Sequence, residues 1–500
     1  MLFGASGSLG RVSLHLYNSA TRAVTEFRPR TPGQVGIYVC GATVQAAPHV
    51  GHLRPSIAFD VLRRWLERSG VSVTLIRNVT DIDDKILAKA AEAGVPWWAH
   101  AAHFEREFTA AYDSLGVIPP TYEPRATGHI PQMLDLIERL ITRGHAYVTS
   151  PGNVWFSVPS FAGYGALTRQ GQDEEVGDER SEEHVEKHSP RDFALWKAPK
   201  PGEPESAAWD SPWGRGRPGW HLECSAMVKA YLGEEFDIHG GGLDLRFPHH
   251  ENEQAQSQAA GYGFARRWMH TAWITQSGEK MSKSLGNGLA AAEVLRQAHP
   301  AAVRLAIVSA HYRSMLEWTD ETLNEATAVW DKFVNCVKRA AEHLATNAPE
   351  AVATELADVE LPAEFTAAMN DDLNVPAALA VVHRWVHDSN TALASAHLDD
   401  PGSLPEHLAQ LRAMLDVLGL DPLSEHWSGQ GSGMTSSSAK DALDALVQAE
   451  LDARAAAREA KDWAQADAIR DRLIAAGIEI QDGPTGVRWV LAAKTEENQN

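Results

Sequence analysis

The chain has 500 residues, 44% of them hydrophobic and 22% charged, so it is long enough to fold around several cores. Its net charge of −21 excludes a protein that holds nucleic acid by bulk positive charge, although a local basic face would be enough to bind RNA. It has no apolar run of the ~20 residues that span a bilayer and no signal-peptide pattern, so we expect a cytoplasmic protein without a membrane partner.

The first part of the chain has the pattern of a parallel nucleotide-binding sheet. Alternating apolar positions in residues 12–30 predict a short antiparallel pair, and GIYVCGATV (36–44) is typical of a buried strand. The residues after it are apolar at helical spacing: Ile57, Phe59, Val61, Leu62, Trp65 and Leu66. SVTLIRNVTD (72–81) predicts the next strand and completes a βαβ unit. We therefore predict an α/β fold with a Rossmann-like catalytic domain over residues 1–112 and 216–319.

Residues 113–215 interrupt that pattern and are rich in Pro, Gly and acidic groups, which we interpret as a connective insertion. Within it, QDEEVGDERSEEHVEK (172–187) is typical of a solvated segment without chemistry. The α/β pattern resumes with a strand in FDIHGGG (236–242) and a helix from about His250 to Ala260. A strand in HTAWIT (270–275) and a polar loop, SGEKMSKSLGN (277–287), follow.

The remainder of the chain is predicted to be mostly helical. Ala-rich helical patterns indicate a helical bundle over residues 320–427. SGQGSGMTSSSA (428–439) has the composition of a linker. Residues 440–494 predict a helical segment and a hairpin around GPTG, together a small C-terminal α+β module, and 495–500 a disordered tail.

The first chemical motif is His49-Val50-Gly51-His52, between a strand and a helix. Helix N-termini bind phosphate through free backbone N–H groups and the helix dipole, and two imidazoles add donors. Gly51 leaves room for a flat ring to approach the backbone. The alternative is a pair of surface histidines at a helix start.

The second motif is Lys280-Met281-Ser282-Lys283-Ser284, flanked by glycines. Two lysines and two hydroxyls in a flexible loop suit a mobile clamp on a polyphosphate. An ordinary basic surface loop is the alternative.

The third motif is a set of metal-ligand types. Cys40 ends the first sheet strand, Cys224 precedes the glycine run, and His249 and Glu253 stand four residues apart on one helix face. Two thiolates, an imidazole and a carboxylate make a tetrahedral zinc shell. Spacing alone leaves His250 open as the histidine ligand, and it also leaves open that the cysteines are merely buried.

HVGH and KMSKS form the paired signature of class I aminoacyl-tRNA synthetases. Further motifs occur in the same order as in one family of that class: YVCGATV, RNVTDIDDKI, ATGHIPQM, GRPGWHLECSAM, FDIHGGGLDLRFPHHENEQAQS, EKMSKSLGN and HYRS. Together they resemble cysteinyl-tRNA synthetases from about residue 13 to residue 493. Val50 stands where isoleucine is usual, a conservative difference.

The resemblance implies roles for individual residues. It implies one Zn²⁺ per chain on Cys40, Cys224, His249 and Glu253, with the substrate thiol as a further ligand. Gly41, Thr80, Trp220 and His239 would contact the amino acid. His49, Gly51, His52, Lys280 and Lys283 would bind ATP, which brings Mg²⁺ with it, and the histidines and lysines among them would be catalytic.

The resemblance also implies the reaction and the partners. The enzyme would activate L-cysteine with ATP and transfer it to the 3′-terminal ribose of tRNA(Cys), acting as a monomer. Residues 320–427 would contact the tRNA stem and anticodon arm, and 440–494 would recognise the anticodon. Arg454, Arg458 and Lys461, at i, i+4 and i+7, would then form a phosphate-contacting stripe, although such a pattern also fits a solvated face with acidic partners.

Two rival functions remain at this stage. The cysteine ligase of mycothiol biosynthesis shares the catalytic domain but lacks a tRNA-reading tail, which the C-terminal segment here resembles. A synthetase-like RNA-binding protein without catalysis should have lost signature residues, whereas both histidines, both lysines and all four zinc-ligand candidates are present.

Overall fold

A computed structural model of the chain describes residues 13–149, 152–169, 187–276, 278–280, 289–396, 402–430, 435–476, 478–483 and 486–491. Residues 172–186 of the predicted acidic segment, most of the KMSKS loop including Lys283, and the predicted tail lie outside these residues. The chain divides into two compact units at Ser428. In the described ranges, we find no helix with the length and apolarity that a membrane crossing requires.

The strands in the described residues are β1 (His15–Asn18), β2 (Ala23–Glu26), β3 (Gln34–Val39), β4 (Ser72–Arg77), β5 (Ala146–Val148), β6 (Val154–Phe156), β7 (Phe193–Lys197), β8 (Arg217–Pro218), β9 (Glu235–Gly242), β10 (Phe264–Thr271), β11 (Ile274–Gln276), β12 (Glu279–Lys280), β13 (Leu316–Glu317), β14 (Ile478–Gly483) and β15 (Gly486–Leu491).

The helices in the same residues are α1 (Val50–Arg68), α2 (Asp84–Ala93), α3 (Trp97–Ser114), α4 (Ile130–Thr142), α5 (Trp220–Leu232), α6 (Glu251–Ala259), α7 (Ala291–Gln297), α8 (Pro300–Val308), α9 (Asp320–Asn347), α10 (Pro349–Val352), α11 (Ala363–Asn370), α12 (Val375–Ser395), α13 (Leu404–Val417), α14 (Glu425–Gln430), α15 (Thr435–Glu459) and α16 (Trp463–Ala475).

A parallel four-stranded sheet forms the centre of the first unit, in the order β10-β9-β3-β4. β3 pairs in parallel with both β4 and β9, and β9 pairs in parallel with β10. β3 and β4 are joined by α1, whose six predicted apolar positions are all buried. The predicted α/β fold with a Rossmann-like sheet is confirmed, and β1 and β2 form the predicted antiparallel pair.

The predicted strand over 270–275 is in fact two strands, β10 and β11. Between them the Ala272 N–H donates to the Tyr312 carbonyl at 2.8 Å, and the Trp273 carbonyl accepts from Arg54 Nη1 at 2.7 Å. Because these backbone groups are bonded outside the sheet, the chain leaves it at Ala272. β11 then pairs with β12 and β13, so it starts the hairpin that leads into the KMSKS segment.

An antiparallel sheet, β5-β6-β7-β8, follows the first part of the parallel sheet in sequence. Its buried aromatic residues include Phe156, Phe193 and Trp196, which explains how a segment rich in Pro and Gly still forms a core. The helices from α9 to α13 then pack together around fully buried side chains such as Phe333 and Phe365.

The second unit consists of α15, α16 and the antiparallel hairpin β14–β15, which agrees with the predicted helix and hairpin. Its small core contains Val447, Leu451, Ile469, Leu473 and Ile478. Of the predicted linker over 428–439, residues 428–430 belong to α14 and 435–439 to α15, and 431–434 lie outside the described residues.

Candidate metal centre and active site

Cys40, Cys224, His249 and Glu253 come from different elements and meet beside the carboxyl end of the parallel sheet. Cys40 follows β3, and its N–H donates to the Gly240 carbonyl of β9 at 3.0 Å. Cys224 lies in α5, His249 in the turn before α6, and Glu253 in the first turn of α6. One possible ligand atom from each residue lies within 4.8 Å of the others, and all four residues are buried.

The spacing of the two sulfurs fits a tetrahedral metal site, and the other donors lie at hydrogen-bond distance from one another. Cys40 Sγ lies 3.7 Å from Cys224 Sγ and 3.2 Å from Glu253 Oε1. His249 Nε2 lies 2.9 Å from the same carboxylate oxygen. Two sulfurs bound at ~2.3 Å to a tetrahedral zinc lie about 3.8 Å apart, so the sulfur spacing and the donor types both fit zinc.

The electrostatics of the four residues favour a cation between them. Burial opposes ionisation of Cys224, but the thiol of Cys40 and the neighbouring His249 lower its pKa to about 6. Burial would lower the pKa of His249, yet Glu253 and Cys224 raise it to about 9. Despite burial, His239 and His249 hold the pKa of Glu253 well below its usual range. The low pKa values of Cys224 and Glu253 show that two anionic groups adjoin His249, an arrangement that stabilises positive charge at this position.

A second group of donors, Cys40, His239, His250 and Glu253, also lies within 4.8 Å. It contains one sulfur instead of two. Nδ1 of His250 is 2.8 Å from His270 Nε2, and burial lowers the pKa of His250 well below its usual value. The sequence spacing did not decide between His249 and His250 as the histidine ligand, and both lie close to Glu253 in the structure. The pair of sulfurs favours the donor set that contains His249.

The neighbours of His249 orient its ring. Nδ1 of His221 lies 3.0 Å from His249 Nδ1, and the Trp220 ring stacks on the imidazole with centroids 4.1 Å apart. Partners of this kind hold a ligating histidine in position. Trp220, predicted to contact the amino acid, thus lies directly beside the candidate metal centre.

The HGGG run starting at His239 lies under the same centre. His239 is fully buried, and its Nε2 is 2.8 Å from Glu253 Oε2. A Cβ on Gly240 would lie 2.3 Å from the Met269 carbonyl and from the Phe59 ring. This position therefore requires glycine, because two strands and α1 meet there without space for a side chain.

Gly41 and Thr80 lie next to each other beside Cys40. A Cβ on Gly41 would lie 1.8 Å from the Asn78 carbonyl, so the close approach of the two chain segments requires glycine. The Gly41 N–H donates to Asn78 Oδ1 at 2.9 Å, and the Thr80 hydroxyl donates to Glu223 Oε2 at 2.9 Å. Asn78 and Glu223 were not predicted as site residues, although both stand inside the quoted motifs, within two residues of Thr80 and Cys224.

The two signature histidines form one unit at the start of α1. The His49 N–H donates to His52 Nδ1 at 3.1 Å, and the two rings stack. A Cβ on Gly51 would lie 2.9 Å from the His49 ring, so the flat ring that needs this glycine is that of His49 itself. The Val50 N–H donates to the Leu289 carbonyl at 3.1 Å, which joins the motif to the chain just after the KMSKS segment.

Of the KMSKS residues, the backbone of Lys280 is described. It ends β12 and pairs with Thr275 of β11. Lys283 lies outside the described residues, so the predicted clamp on ATP stays a prediction.

The predicted basic stripe of the C-terminal unit is not formed as expected. Arg454 is buried, because it shares the apolar face of α15 with Val447 and Leu451. Arg458 is exposed, whereas Lys461 follows the end of α15 at a positive φ of 58°. The prediction placed all three residues on one exposed helix face because it extended the helix through Lys461, whereas α15 ends at Glu459.

Comparison with known proteins gives the family. The family model for the class I (C) tRNA synthetase catalytic domain matches residues 26–328. A cysteine–tRNA ligase of Beutenbergia cavernae is 59% identical over 480 residues, which cover 96% of this chain and 99% of the relative. The chain belongs to the cysteine–tRNA ligases. It is accordingly a class I aminoacyl-tRNA synthetase.

Other members of the cysteine–tRNA ligase family agree with this assignment. The enzyme of Bifidobacterium longum is 52% identical over 96% of this chain and 94% of the relative. That of Streptomyces coelicolor is 51% identical over 97% of this chain and 76% of the relative. Outside the catalytic domain, a DALR domain matches residues 364–422, and a cysteinyl-tRNA ligase anticodon binding domain matches 440–489.

Solved structures with the same fold include methionyl-tRNA synthetase of Mycobacterium tuberculosis in complex with methionyl-adenylate. It superposes with a TM-score of 0.53 at 17% identity, over 78% of this chain and 90% of that chain. At this identity the likeness concerns the fold.

Proposed function

We propose that this synthetase activates L-cysteine with ATP and transfers the cysteinyl group to the 3′-terminal ribose of tRNA(Cys), at the 2′ position expected for class I. The observation that carries the proposal is the buried set Cys40, Cys224, His249 and Glu253, whose donor atoms converge within 4.8 Å in a chain of this family.

The four residues would hold one Zn²⁺ per chain. Zinc supplies a soft Lewis acid that prefers the thiolate of cysteine to the hydroxyl of serine. Packing separates such near-isosteres by only ~1–3 kcal/mol, so recognition through sulfur would explain selectivity without an editing site. His221 and Trp220, which contact His249, would hold that ligand in a fixed orientation.

The remaining pocket residues would bind and orient the amino acid. Gly41 and Thr80 flank Cys40, Trp220 covers His249, and His239 supports Glu253. A cysteine whose sulfur reaches the metal centre would therefore have its backbone groups beside Gly41 and Thr80. Its carboxylate would then attack the α-phosphorus of ATP in line, with pyrophosphate as the leaving group.

His49, Gly51, His52, Lys280 and Lys283 would bind ATP, which arrives with Mg²⁺. The start of α1 offers the positive end of the helix dipole to the phosphates, whereas the N–H groups of His49, Val50 and His52 donate within the protein. The histidines and lysines would stabilise the pentacoordinate phosphorus and the departing pyrophosphate, so most of the catalysis would be electrostatic and positional.

The helical part after residue 320 and the C-terminal unit would bind tRNA(Cys). The matches to a DALR domain and to an anticodon binding domain support this division. Arg458 and Lys461 are exposed and would contact tRNA phosphates, whereas buried Arg454 would support the unit from within. We expect the enzyme to act as a monomer.

The test combines two assays on the purified protein. We expect cysteine-dependent ATP–pyrophosphate exchange and charging of tRNA(Cys), with no ligation of cysteine to an amino-sugar acceptor. Ligation to the amino sugar without tRNA charging would identify the mycothiol enzyme instead. Absence of exchange in the metal-loaded protein would refute the proposed catalysis.

A further inference from the structure

Arg54 is a buried arginine on α1, two residues after His52, that the proposed mechanism does not use. It is 2% exposed, and its partners among the described residues are three backbone carbonyls and no carboxylate. Nη1 donates to the Trp273 carbonyl at 2.7 Å, and Nη2 donates to the carbonyls of His311 and Ser314 at 3.1 and 2.5 Å. Because the guanidinium is planar and rigid, it fixes the distances between the segments to which it is bonded.

The carbonyl of Trp273 lies at the base of the hairpin that contains Lys280. Trp273 directly precedes β11, and its carbonyl also accepts the Leu316 N–H of β13 at 3.1 Å. β11 pairs with β12, in which the backbone of Lys280 pairs with Thr275. Arg54 therefore joins the start of α1 to the strand from which the chain enters the KMSKS segment.

The turn over residues 311–314 is also held from its other side. Asp372, between α11 and α12, accepts the Tyr312 hydroxyl and Arg313 Nε, both at 2.6 Å. The Asp372 carbonyl is 3.0 Å from His311 Nε2. The turn is thus fixed to the helical part of the first unit, so the guanidinium bonds to a rigid support.

The far end of the KMSKS segment is attached to the start of α1 as well. The Val50 N–H donates to the Leu289 carbonyl at 3.1 Å, and the Ala291 N–H donates to the Pro48 carbonyl at 2.9 Å. Both ends of the segment are therefore bonded to the chain around the two signature histidines. At the far end these bonds join backbone groups, whereas at the near end the bond depends on the side chain of Arg54.

We propose that Arg54 is a positioning residue that aligns the histidines at the start of α1 with the hairpin of β11 and β12, so that both act on the same ATP. The inference rests on the proposed function, since it concerns the distance between two groups that we propose bind ATP. Adenylate formation depends on the placement of charged groups, and a displacement of about 1 Å can lower a rate by about 100-fold.

The test compares Arg54 with a second buried arginine. Arg267 on β10 is 8% exposed and also donates to backbone carbonyls, those of Leu16 and Glu26, but it joins the parallel sheet to β1 and β2. Lysine at either position keeps the positive charge but loses the planar fork. We expect Arg54→Lys to lower the kcat of cysteine-dependent ATP–pyrophosphate exchange by roughly 10- to 100-fold and to raise the KM for ATP.

The same two variants separate positioning from a structural role. In Arg54→Lys the KM for cysteine and the metal content should change by less than about 2-fold, because the described contacts of Arg54 do not include residues of the amino-acid pocket or the metal centre. Arg267→Lys should lower the thermal stability as Arg54→Lys does, but it should leave each kinetic constant within about 2-fold of its normal value.

A double variant shows whether Arg54 acts through the hairpin. If it does, adding Arg54→Lys to Lys280→Ala should lower kcat by less than about 3-fold, a smaller effect than Arg54→Lys has alone. Arg54→Gln, which also removes the charge, should resemble Arg54→Lys in the exchange assay. Circular dichroism checks that each variant is folded at the assay temperature, and the conservative lysine variant decides the question if the glutamine variant does not fold.

Each result has a defined meaning. Normal kinetics of Arg54→Lys, an equal rise of the KM values for ATP and cysteine, or full additivity with Lys280→Ala would overturn the inference while leaving the cysteine–tRNA ligase activity in place. The same kinetic defect in Arg267→Lys would also overturn it. Absence of cysteine-dependent exchange in the unmodified enzyme would refute the proposed function, and the inference with it.

Discussion

The imidazole of His52 stacks on that of His49 with ring centroids 3.6 Å apart, and its Nδ1 accepts the His49 N–H. The second signature histidine thus holds the first at the start of α1. Gly51 makes this possible, since a Cβ there would collide with the His49 ring. The two histidines consequently act as one preorganised group beside the phosphates that we propose they bind.

We predict that His52→Ala lowers the kcat of cysteine-dependent exchange by about 100-fold, the usual effect of removing one preorganised donor in a charged transition state. The KM for cysteine should change much less, because the pocket next to Cys40 is untouched. The control is His103→Ala, an exposed histidine on α3. Similar kinetics in both variants would contradict the role of the pair.

The metal set is tested by four variants. Cys224→Ser and His249→Ala should each lower the affinity for metal by more than roughly 10- to 100-fold, the loss expected when only an outer hydrogen-bond partner is removed. Both variants should also discriminate poorly against serine. Cys336→Ser, in α9 of the helical part, and His250→Asn should retain metal. Metal analysis and exchange with cysteine or serine give the readout. Loss of metal from His250→Asn with retention in His249→Ala would favour the alternative donor set.

Removal of residues 428–500 should separate the two half-reactions. This segment forms its own compact unit with its own core, so the catalytic unit should still make the adenylate within about 2-fold of the normal rate. Charging of tRNA should fall at least about 100-fold, the effect of losing roughly 3 kcal/mol of binding free energy. An equal decrease in exchange and charging would contradict this division of labour.

Point variants within the C-terminal unit refine that test. Arg458→Ala should weaken charging and leave the thermal stability unchanged, because Arg458 is exposed. Arg454→Ala should instead destabilise the unit, because its side chain is buried beside the small core. Thermal unfolding and charging measured on both variants distinguish a tRNA contact from a packing residue.

Acid should destabilise the catalytic unit through His270. Burial, with His239 and Arg246 nearby, lowers the pKa of His270 from 6.5 to about 3. Below pH 6.5 the unfolded chain therefore binds a proton that the folded chain excludes. The contribution of this residue to the free energy of unfolding is complete above pH 6.5 and decreases as the pH falls, by at most about 1.4 kcal/mol per pH unit.

Urea unfolding between about pH 7 and about pH 5, at constant metal saturation, measures this effect. His270→Asn should reduce the number of protons taken up on unfolding, which the slope of the free energy of unfolding against pH measures, by about one. His103→Asn should leave that slope unchanged. An unaltered slope in the His270 variant would show that other groups cause the acid sensitivity.

Local sequence was sufficient for the periodic elements. β3, α1 and β4 follow directly from the buried β-branched runs and from the helical spacing between Ile57 and Leu66, because the hydrophobic pattern and the backbone period agree there. Prediction from local sequence failed where hydrogen bonds from residues distant in the sequence change the direction of the chain. The Arg54 guanidinium and the Tyr312 carbonyl end β10, and neither is close to Ala272 in the sequence.

The amino-acid sequence by itself determined the family, the α/β class and the residue types able to bind zinc, since these depend on motifs and on local periodicity. Tertiary structure decided which atoms meet: the 3.7 Å between Cys40 and Cys224, the bond from Thr80 to Glu223, and the burial of Arg454. The physical reason is that each of these contacts joins segments whose distance is set by the packing of sheet and helices, which spacing along the chain does not encode.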